Sequence, residues 1–504
     1  MTRVLAILAG VFAAAAAGAE KPALLQNVIG MYVHEHWPYR HPYAARTWTL
    51  DDWRGYADGL KKLGYNAIMI WPVIEVMPDP PTASDRASLE KHGKVIDILH
   101  REFGMRVMIA LCPNVASNDS QASRAPFETR HFFYSDVRVN PADAAAVRRM
   151  IEHREELLRP LAKADAVAII DSDPGGYPGS TNAEFVTLLI EHRKMLDRLR
   201  PGIELDYWVH AGWQAYGRFY QTAKFTMGLE SEYLDAITRL SKTNPEPWGL
   251  ANGLPYAEKL GLASRVISFN YGRIEGEPSF PMTNFGGDAA YEGGRHPGPR
   301  GVMGNAQTHC VQLPNTFAFA RGALRQPVTE ADYVKFAGDL IEGLGRLIVD
   351  GWKALGGKES GTMRTVASEL ERAADEALVP GMLKGLLFGD ARRFLTDLSM
   401  QLRLRAAYSD LVTAARQNGD LKPLFRNFLE AAEVWQRQHG YQNRWEWRGM
   451  AEVLHKLNSP DVDAVLDTRG RGRTLFDEVK DYYYKEETFT PRLLKAMKAA
   501  LSSR

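Results

Sequence analysis

The stretch Ala166-Val-Ala-Ile-Ile-Asp-Ser-Asp-Pro-Gly-Gly176 joins an apolar, β-branched run to two carboxylates and a Pro-Gly-Gly turn. The run predicts a buried strand whose C-terminal end delivers Asp171 and Asp173 to a loop. Side chains two apart on a strand point to the same face, so we expect the two carboxyl groups side by side. One of two neighbouring carboxyl groups has a raised pKa, which acid–base chemistry near neutral pH requires. The structural alternative is that Asp173 only shapes the Asp-Pro-Gly turn.

Strand-like and helix-like segments alternate from residue 28 to about residue 320. The pieces Leu63-Gly-Tyr-Asn-Ala67 and Phe103-Gly-Met-Arg-Val107 are typical of a helix, a glycine C-cap and a following strand. Strands that alternate with helices imply parallel βαβ units, and eight such units predict an α/β fold, the (β/α)8 TIM barrel. The predicted strands are Val28–His34, Asn66–Trp71, Arg106–Cys112, Ala166–Asp171, Glu204–His210, Trp248–Asn252, Arg265–Asn270 and Gly301–Ala306. The predicted helices are Asp52–Leu63, Ala87–Phe103, Pro141–Leu161, Asn182–Leu199 and Ser231–Leu240.

The pattern changes after the last predicted strand. Apolar stripes with a 3.6-residue period dominate the rest of the chain, as in Leu383–Ala414 and Leu421–Gln438, with almost no strand signal. We therefore predict a catalytic barrel at residues 20–325 and an α-helical C-terminal domain at residues 326–504. The Asn443-Arg-Trp-Glu-Trp-Arg448 segment of that domain is expected to pack between helices, with the border of the cleft as the alternative.

The first residues are typical of a secretory signal peptide. Arg3 supplies a positive charge, Val4–Ala17 is continuously small and apolar, and Ala17-Gly18-Ala19 fits the A-x-A cleavage pattern. We expect residues 1–19 to be removed after Ala19, which predicts a periplasmic or secreted protein. No later segment offers about 18 consecutive apolar residues, so we expect no membrane insertion.

Composition excludes some partners and favours others. The formal net charge is +1 and there is no long basic run, which argues against nucleic acid as a partner. Aromatic residues make up 10% of the chain, including 11 Trp, and many fall at predicted strand ends. Such rings suit flat, partly apolar ligands such as sugars. The two cysteines, Cys112 and Cys310, are predicted to be buried free thiols.

In a TIM barrel the active site lies at the C-terminal ends of the strands. Almost every predicted strand end carries a hydrogen-bonding side chain and a nearby ring, a combination that suits sugar hydroxyls and C–H faces. Asp171 and Asp173 are the predicted catalytic pair. The predicted substrate-binding residues are His34, Glu35, Trp71, Asn114, His210, Trp213, Glu230, Asn270, Tyr271, Asn305, Gln307 and His309.

The division of roles between the carboxylates stays open at this point. Glu35, Glu75 and Glu230 are candidates for a second carboxylate, each with a structural or substrate-orienting alternative. The separation of the two catalytic carboxyls would distinguish a retaining from an inverting reaction. The glycine-rich segment Tyr271–Arg300 is interpreted as a lid over the cleft, because long loops in compact domains are usually functional.

The chain resembles the (β/α)8 glycoside hydrolases over about residues 28–320. The resemblance rests on Asp171-Ser-Asp173-Pro-Gly-Gly, on Gly30-Met-Tyr-Val-His-Glu35 and on Gly304-Asn-Ala-Gln307. It is similar to the hexosaminidase-like and chitinase-like families, in which two carboxylates after the fourth strand orient an N-acetyl group and protonate the leaving oxygen. The chain departs from both patterns, because its acids are one residue apart and position 175 carries glycine instead of glutamate. The resemblance implies a carbohydrate substrate, with N-acetylated sugars among the candidates, and assigns no specific family. Arg295 and Arg300 in the predicted lid add an acidic sugar as a candidate, with solubility as the alternative role of these arginines.

Two other classes remain as alternatives. His34-Glu-His36 at a first strand end resembles the metal-dependent amidohydrolases, since two imidazoles on one face can chelate a divalent ion. The lysine and aspartate expected elsewhere in that family are missing, so we expect neither a bound metal nor a cofactor. The third class is a non-catalytic glycan-binding barrel. The paired acids argue against it, because binding a neutral sugar does not need them.

Overall fold

The computed structural model describes residues 24–35, 41–130, 137–172, 174–222, 227–276, 283 and 285–439. Eight parallel strands close into a barrel in the order β1-β2-β3-β6-β7-β8-β9-β10, with β10 pairing back to β1. Two further strands, β4 and β5, pair antiparallel beside the barrel. The strands are β1 Val28–His34, β2 Ala67–Trp71, β3 Arg106–Leu111, β4 Val115–Ala116, β5 Val137–Arg138, β6 Ala166–Ile170, β7 Glu204–Trp208, β8 Trp248–Ala251, β9 Val266–Phe269 and β10 Gly301–Ala306.

All eight predicted strands are confirmed as barrel strands, most with ends one or two residues shorter than predicted. Their side chains are nearly all buried, which explains why they read as continuous apolar runs instead of alternating ones. The small β4–β5 pair was not predicted, because two-residue strands leave no periodic signal.

Capping residues in the sequence mark where several helices of the barrel begin and end. Thr49, Thr82 and Thr181 each form a capping box at a helix start. Gly64 and Gly104 end the first two long helices in the left-handed conformation, as predicted. The helices up to the last strand and the one that follows it are α1 Leu50–Leu63, α2 Ala83–Phe103, α3 Asp119–Ala122, α4 Ala144–Leu158, α5 Asn182–Leu199, α6 Trp213–Thr222, α7 Glu230–Thr243, α8 Leu254–Lys259, α9 Asp288–Arg295 and α10 Leu313–Ala323.

A helical region follows the barrel, as predicted. It packs on loops at the mouth: Tyr43 donates a hydrogen bond to Asp397 at 2.5 Å, and Thr283 donates to Gln401 from its backbone and its hydroxyl. Its helices are α11 Glu330–Leu340, α12 Gly345–Gly356, α13 Ser360–Asp375, α14 Ala391–Arg416 and α15 Lys422–His439. The segment at residues 443–448 lies outside the described residues. Within the described part of the chain, no helix is both long enough and apolar enough to cross a membrane.

A buried ion cluster closes the end of the barrel where the strands begin. Arg300 donates hydrogen bonds to Glu204 and, at 3.3 Å, to Asp206, and all three side chains are nearly inaccessible to solvent. Leu25 ties the N-terminal segment to this cluster, because its N–H donates to Glu204 and its carbonyl accepts from Arg300. Arg300 therefore belongs to the barrel floor, and its predicted place in a lid over the cleft was wrong.

Candidate functional site

A cluster of aromatic rings fills the mouth of the barrel. In neighbouring parallel strands, residues that pair directly point to the same face of the sheet. The register pairs His34 with Trp71 and Ile170 with Trp208. The ring centroids of His34 and Trp71 are 5.0 Å apart, those of Tyr32 and Trp208 are 5.2 Å apart, and those of Trp208 and Phe269 are 4.4 Å apart. We call Tyr32, His34, Trp71, Trp208 and Phe269 the ring cluster.

The ring cluster offers a mixed surface at the strand ends. Its members His34, Trp71 and Phe269 keep a small exposed fraction. Tyr271 lies beside them with 44% of its surface exposed. The Tyr271 ring is nearly parallel to that of Phe269, with centroids 6.4 Å apart. His210 is half-buried at the end of β7. Rings that combine with polar groups in this way suit the C–H face and the hydroxyls of a sugar.

Asp171 lies in a socket formed by the next strand of the barrel. Its carboxylate accepts hydrogen bonds from Ser172 Oγ at 2.8 Å, Tyr207 Oη at 3.0 Å, and the backbone N–H groups of His210 and Gly212, both at 3.1 Å. A carboxylate has about four acceptor positions, so all of them are used. Burial raises the pKa of Asp171, and these hydrogen bonds together with nearby His210 oppose that effect. The geometry favours a positioning role for Asp171, which fixes the loop that carries His210.

Replacement of Asp171 with asparagine is expected to destabilise the fold, because the new amide NH2 would face groups that are themselves donors. Leaving buried donors without acceptors costs about 2–3 kcal/mol in total. Urea unfolding followed by circular dichroism measures the loss. Ser172→Ala is the matched control, since it removes only one neutral donor and should cost about 1 kcal/mol. Equal unfolding midpoints for Asp171→Asn and the wild type would contradict the socket.

Two further carboxylates bind the loop of the neighbouring strand in the same way. Glu75, after β2, accepts from the N–H of Cys112 at 2.6 Å and from Trp71 Nε1 at 3.1 Å. Glu275, after β9, accepts from two N–H groups and a hydroxyl in the loop after β10. Carboxylates at this rim therefore brace one strand end against the next.

Asn114 connects the loop after β3 to the turn that follows Asp173. Its side-chain amide donates to the carbonyls of Val139 at 3.0 Å and Gly176 at 2.9 Å. Gly175 lies close against this region, because a Cβ there would lie 2.8 Å from the Asp171 carbonyl oxygen. Asp173 itself lies outside the described residues, so its place beside Asp171 stays a prediction.

The loops after β9 and β10 hold several of the predicted residues together. Asn305 donates to the carbonyl of Glu275 at 2.7 Å, and Gln307 donates to Tyr271 Oη at 3.3 Å. Asn270 is half-buried and donates to the carbonyl of Gly293 in α9. Tyr271 and Gln307 are thus bonded directly, whereas the buried Asn305 side chain holds the backbone of the loop after β9.

Several other predicted residues contact helices instead of the mouth. Glu35 is fully buried and bonded to His92 of α2 at 2.7 Å, and Trp213 donates to Ser180 Oγ at 3.0 Å. Glu230 is exposed at the start of α7, where it pairs with Lys259. These positions favour structural roles.

His309 is buried against α1 behind the first strand. Its Nδ1 is 2.7 Å from Tyr56 Oη, and its ring lies edge-on to Trp48. Burial lowers its pKa to about 3, with nearby His34 adding to the effect, so the imidazole is neutral. A neutral, enclosed ring favours packing over contact with a substrate.

The residues for a metal site are not assembled in the described part of the chain. His36 lies outside it, and the described residues contain no group of three or more His, Cys, Asp or Glu side chains that could hold an ion. Cys112 and Cys310 are both buried, and neither forms a disulfide.

Sequence reasoning undervalued three members of the site. Tyr32, Trp208 and Phe269 form the centre of the ring cluster. Tyr32 and Phe269 resemble ordinary apolar strand residues, whereas Trp208 is one of the aromatic residues noted at predicted strand ends but was not among the predicted substrate-binding residues. The alternation of side chains along the strand could have identified Trp208. Glu204, Asp206 and Trp208 are two residues apart in turn, so all three lie on one face of the strand.

Comparisons with known proteins place the chain near glycoside hydrolase structures. No family model and no curated protein sequence matches it. Among the solved structures, a GH138 enzyme targeting pectin rhamnogalacturonan II is 11% identical, with 95% of this chain and 83% of that chain covered and a TM-score of 0.48. An O-GlcNAc hydrolase of Thermobaculum terrenum is 9% identical, with 94% and 95% covered and a TM-score of 0.40. A GH20 β-N-acetylhexosaminidase of Streptomyces coelicolor is 12% identical, with 62% and 67% covered and a TM-score of 0.37. At these values no specific family is assigned, and the likeness carries no argument about substrate.

Proposed function

We propose that this protein is an exported glycoside hydrolase that cleaves an O-glycosidic bond by carboxylate acid–base catalysis. The observation that carries the proposal is the ring cluster at the barrel mouth, with Tyr271 exposed beside it and polar groups around it. An exposed ring on an aromatic base, together with hydrogen-bonding groups, suits a sugar-binding cleft. Export rests on the signal-peptide pattern of residues 1–19.

The proposed catalytic acid is Asp173, with Asp171 as its positioning neighbour. The support is indirect: the chain is anchored before Asp173 by the Asp171 socket and after it by the bond from Asn114 to Gly176. Anchored flanks on both sides would preorganise an acid between them for proton transfer. Among the three glutamates considered for the second carboxylate, Glu75 is the one bonded to a member of the ring cluster.

The substrate is proposed to be a carbohydrate contacted by His34, Trp71, His210 and Tyr271. These residues line the mouth or its rim, as their ring contacts and hydrogen bonds support. N-acetylated and acidic sugars are the classes to test first. The proposed reaction uses no cofactor.

The test is hydrolysis of a panel of 4-nitrophenyl glycosides by the mature protein, with and without a chelator. The panel contains N-acetylhexosaminides, hexuronides and sialosides. We expect release of nitrophenol from one class, unaffected by the chelator. Activity that the chelator abolishes would favour metal chemistry at His34 and His36. No release from the panel or from polymeric glycans would overturn the hydrolase in favour of glycan binding.

A further inference from the structure

The loops after β9 and β10 are locked together through their backbones. Asn305 donates to the carbonyl of Glu275 at 2.7 Å and accepts from the N–H of Gly272 at 3.3 Å. The N–H of Glu275 in turn donates to the carbonyl of Asn305 at 3.1 Å. Asn315 of α10 adds a bond to the carbonyl of Ile274 at 2.9 Å. The backbone of Glu275 is therefore fixed, and its side chain has a defined direction.

The Glu275 carboxylate points into the loop after β10. It accepts hydrogen bonds from the N–H of Gln307 at 2.5 Å, the N–H of Thr308 at 2.7 Å and the hydroxyl of Thr308 at 2.7 Å. The side chain of Gln312 supplies another. The carboxylate is 4% exposed, so no substrate reaches it in this arrangement. Because its acceptor positions are used, Glu275 has a bracing role and not a proton-transfer role.

The braced loop supports the most exposed ring of the site. The Gln307 side-chain amide donates to the carbonyl of Gly276 at 2.6 Å and to Tyr271 Oη at 3.3 Å. Gln307 itself is buried, whereas Tyr271 presents 44% of its surface to solvent. An unbroken chain of hydrogen bonds therefore runs from Glu275 through Gln307 to the phenol of Tyr271.

We propose that Glu275 is a positioning residue that holds Gln307 and Tyr271 as a platform on which a substrate sugar ring stacks. The proposal rests on the glycoside hydrolase function proposed above and adds a binding subsite to it. Tyrosine has few rotatable bonds, so a hydrogen bond to its hydroxyl restrains where the ring lies. The nearly parallel Phe269 ring restrains its plane. Without the brace, the ring would have to be ordered each time a substrate binds, which weakens binding.

The charge of Glu275 responds to pH in the neutral range. Burial raises its pKa to about 7, and the hydrogen bonds from Thr308, Gln307 and Gln312 oppose the shift. The titratable groups that sense its charge are Tyr56 of α1 and Cys310 after β10, both with raised pKa values and therefore neutral at this pH. Arg273, on the same loop, is exposed. Because burial raises this pKa, the closed loop holds the proton more tightly than an opened loop in which the carboxyl meets water. The free energy of opening the loop therefore falls as pH rises towards 7 and stays lower above it.

The experiment compares the wild type, Glu275→Gln and the control Asp288→Asn, which changes an exposed carboxylate of α9 to an amide. Hydrogen–deuterium exchange reports on the amides of Gln307 and Thr308 at about pH 5.5 and about pH 8.5, corrected for the intrinsic rate. We expect greater protection at the lower pH in the wild type and in Asp288→Asn, because the closed loop is stabilised by the proton on Glu275. Glu275→Gln should show lower protection than the wild type at the lower pH and no change with pH, because its amide nitrogen accepts no hydrogen bond and does not titrate.

Kinetics supply the second readout, with a 4-nitrophenyl glycoside that the wild type hydrolyses. We expect KM of Glu275→Gln to rise about tenfold while kcat changes less than about twofold, because the platform binds the sugar and does not transfer a proton. The wild-type KM should approach that of the variant as pH rises above 7. Unchanged exchange, or an unchanged KM, in Glu275→Gln would overturn the proposal. If no glycoside is hydrolysed, the proposed hydrolase function is wrong. The exchange result still shows whether Glu275 braces the loop after β10.

Discussion

Replacement of Gly249 with alanine is expected to remove a large part of the folding free energy of the barrel. Gly249 lies on β8 beside the ion cluster at the barrel floor. A Cβ at this position would lie 2.0 Å from Arg300 Nη1 and 2.2 Å from Asp206 Oδ1, far inside any allowed contact. The arginine is held by Glu204 and by the carbonyls of Leu25 and Arg265, so it has no room to move away.

The expected cost follows from the charges that would be separated. Disrupting a buried ion pair costs about 3–5 kcal/mol, compared with a total stability of about 5–15 kcal/mol for a typical domain. Burial raises the pKa of Glu204 well above its usual range, with Asp206 adding to the effect and Arg300 opposing it. Loss of Arg300 contact would thus leave two carboxyls with no cation between them.

Thermal and urea unfolding of purified Gly249→Ala, followed by circular dichroism, measures this effect. Gly338→Ala is the matched control, because Gly338 lies within α11 and a Cβ there meets no atom within 4 Å. That change should leave stability unchanged or raise it by up to about 1 kcal/mol through helix propensity. Midpoints of Gly249→Ala within the range of this control would show that the cluster tolerates a Cβ.

The fold could be predicted from the sequence because its signals are local. The run Ala166–Ile170 is apolar throughout, and Gly64 and Gly104 mark helix ends directly before the next strands. Each signal needs only a few neighbouring residues to be recognised. The ion cluster at the floor could not be predicted in this way, since Glu204 and Arg300 are 96 residues apart and meet only when the barrel closes.

The apolar run before Asp171 does not reveal which face of the sheet the Asp171 side chain points to. Every residue of β6 is buried, so hydrophobicity does not distinguish the face toward the barrel axis from the face toward the helices. The register pairs Ile170 with Trp208, which places Ile170 on the face toward the barrel mouth. Asp171, the next residue, therefore points to the opposite face, toward the helices, where it accepts a hydrogen bond from Tyr207. The pairing with the neighbouring strand was needed to determine which way Asp171 points.

Replacement of Asp173 with asparagine is expected to lower kcat about 100-fold or more if its carboxyl transfers the proton in glycoside cleavage. Asparagine has nearly the same shape and cannot donate that proton, so KM should change little. The variant should also unfold at the wild-type midpoint, in contrast to Asp171→Asn, because the anchors on either side of position 173 are the Asp171 socket and the Asn114–Gly176 bond.

The measurement is kcat and KM for the 4-nitrophenyl glycoside identified by the panel, together with urea unfolding of the same preparations. Glu191→Gln serves as the control, since Glu191 lies on the outside of α5 in an ion pair with Lys194. A wild-type kcat for Asp173→Asn would remove this residue from the mechanism. A loss of kcat in Asp171→Asn only in proportion to its unfolding would leave Asp171 as the support and Asp173 as the acid. Separate effects on turnover and on stability are what distinguish a proton donor from the residue that holds it.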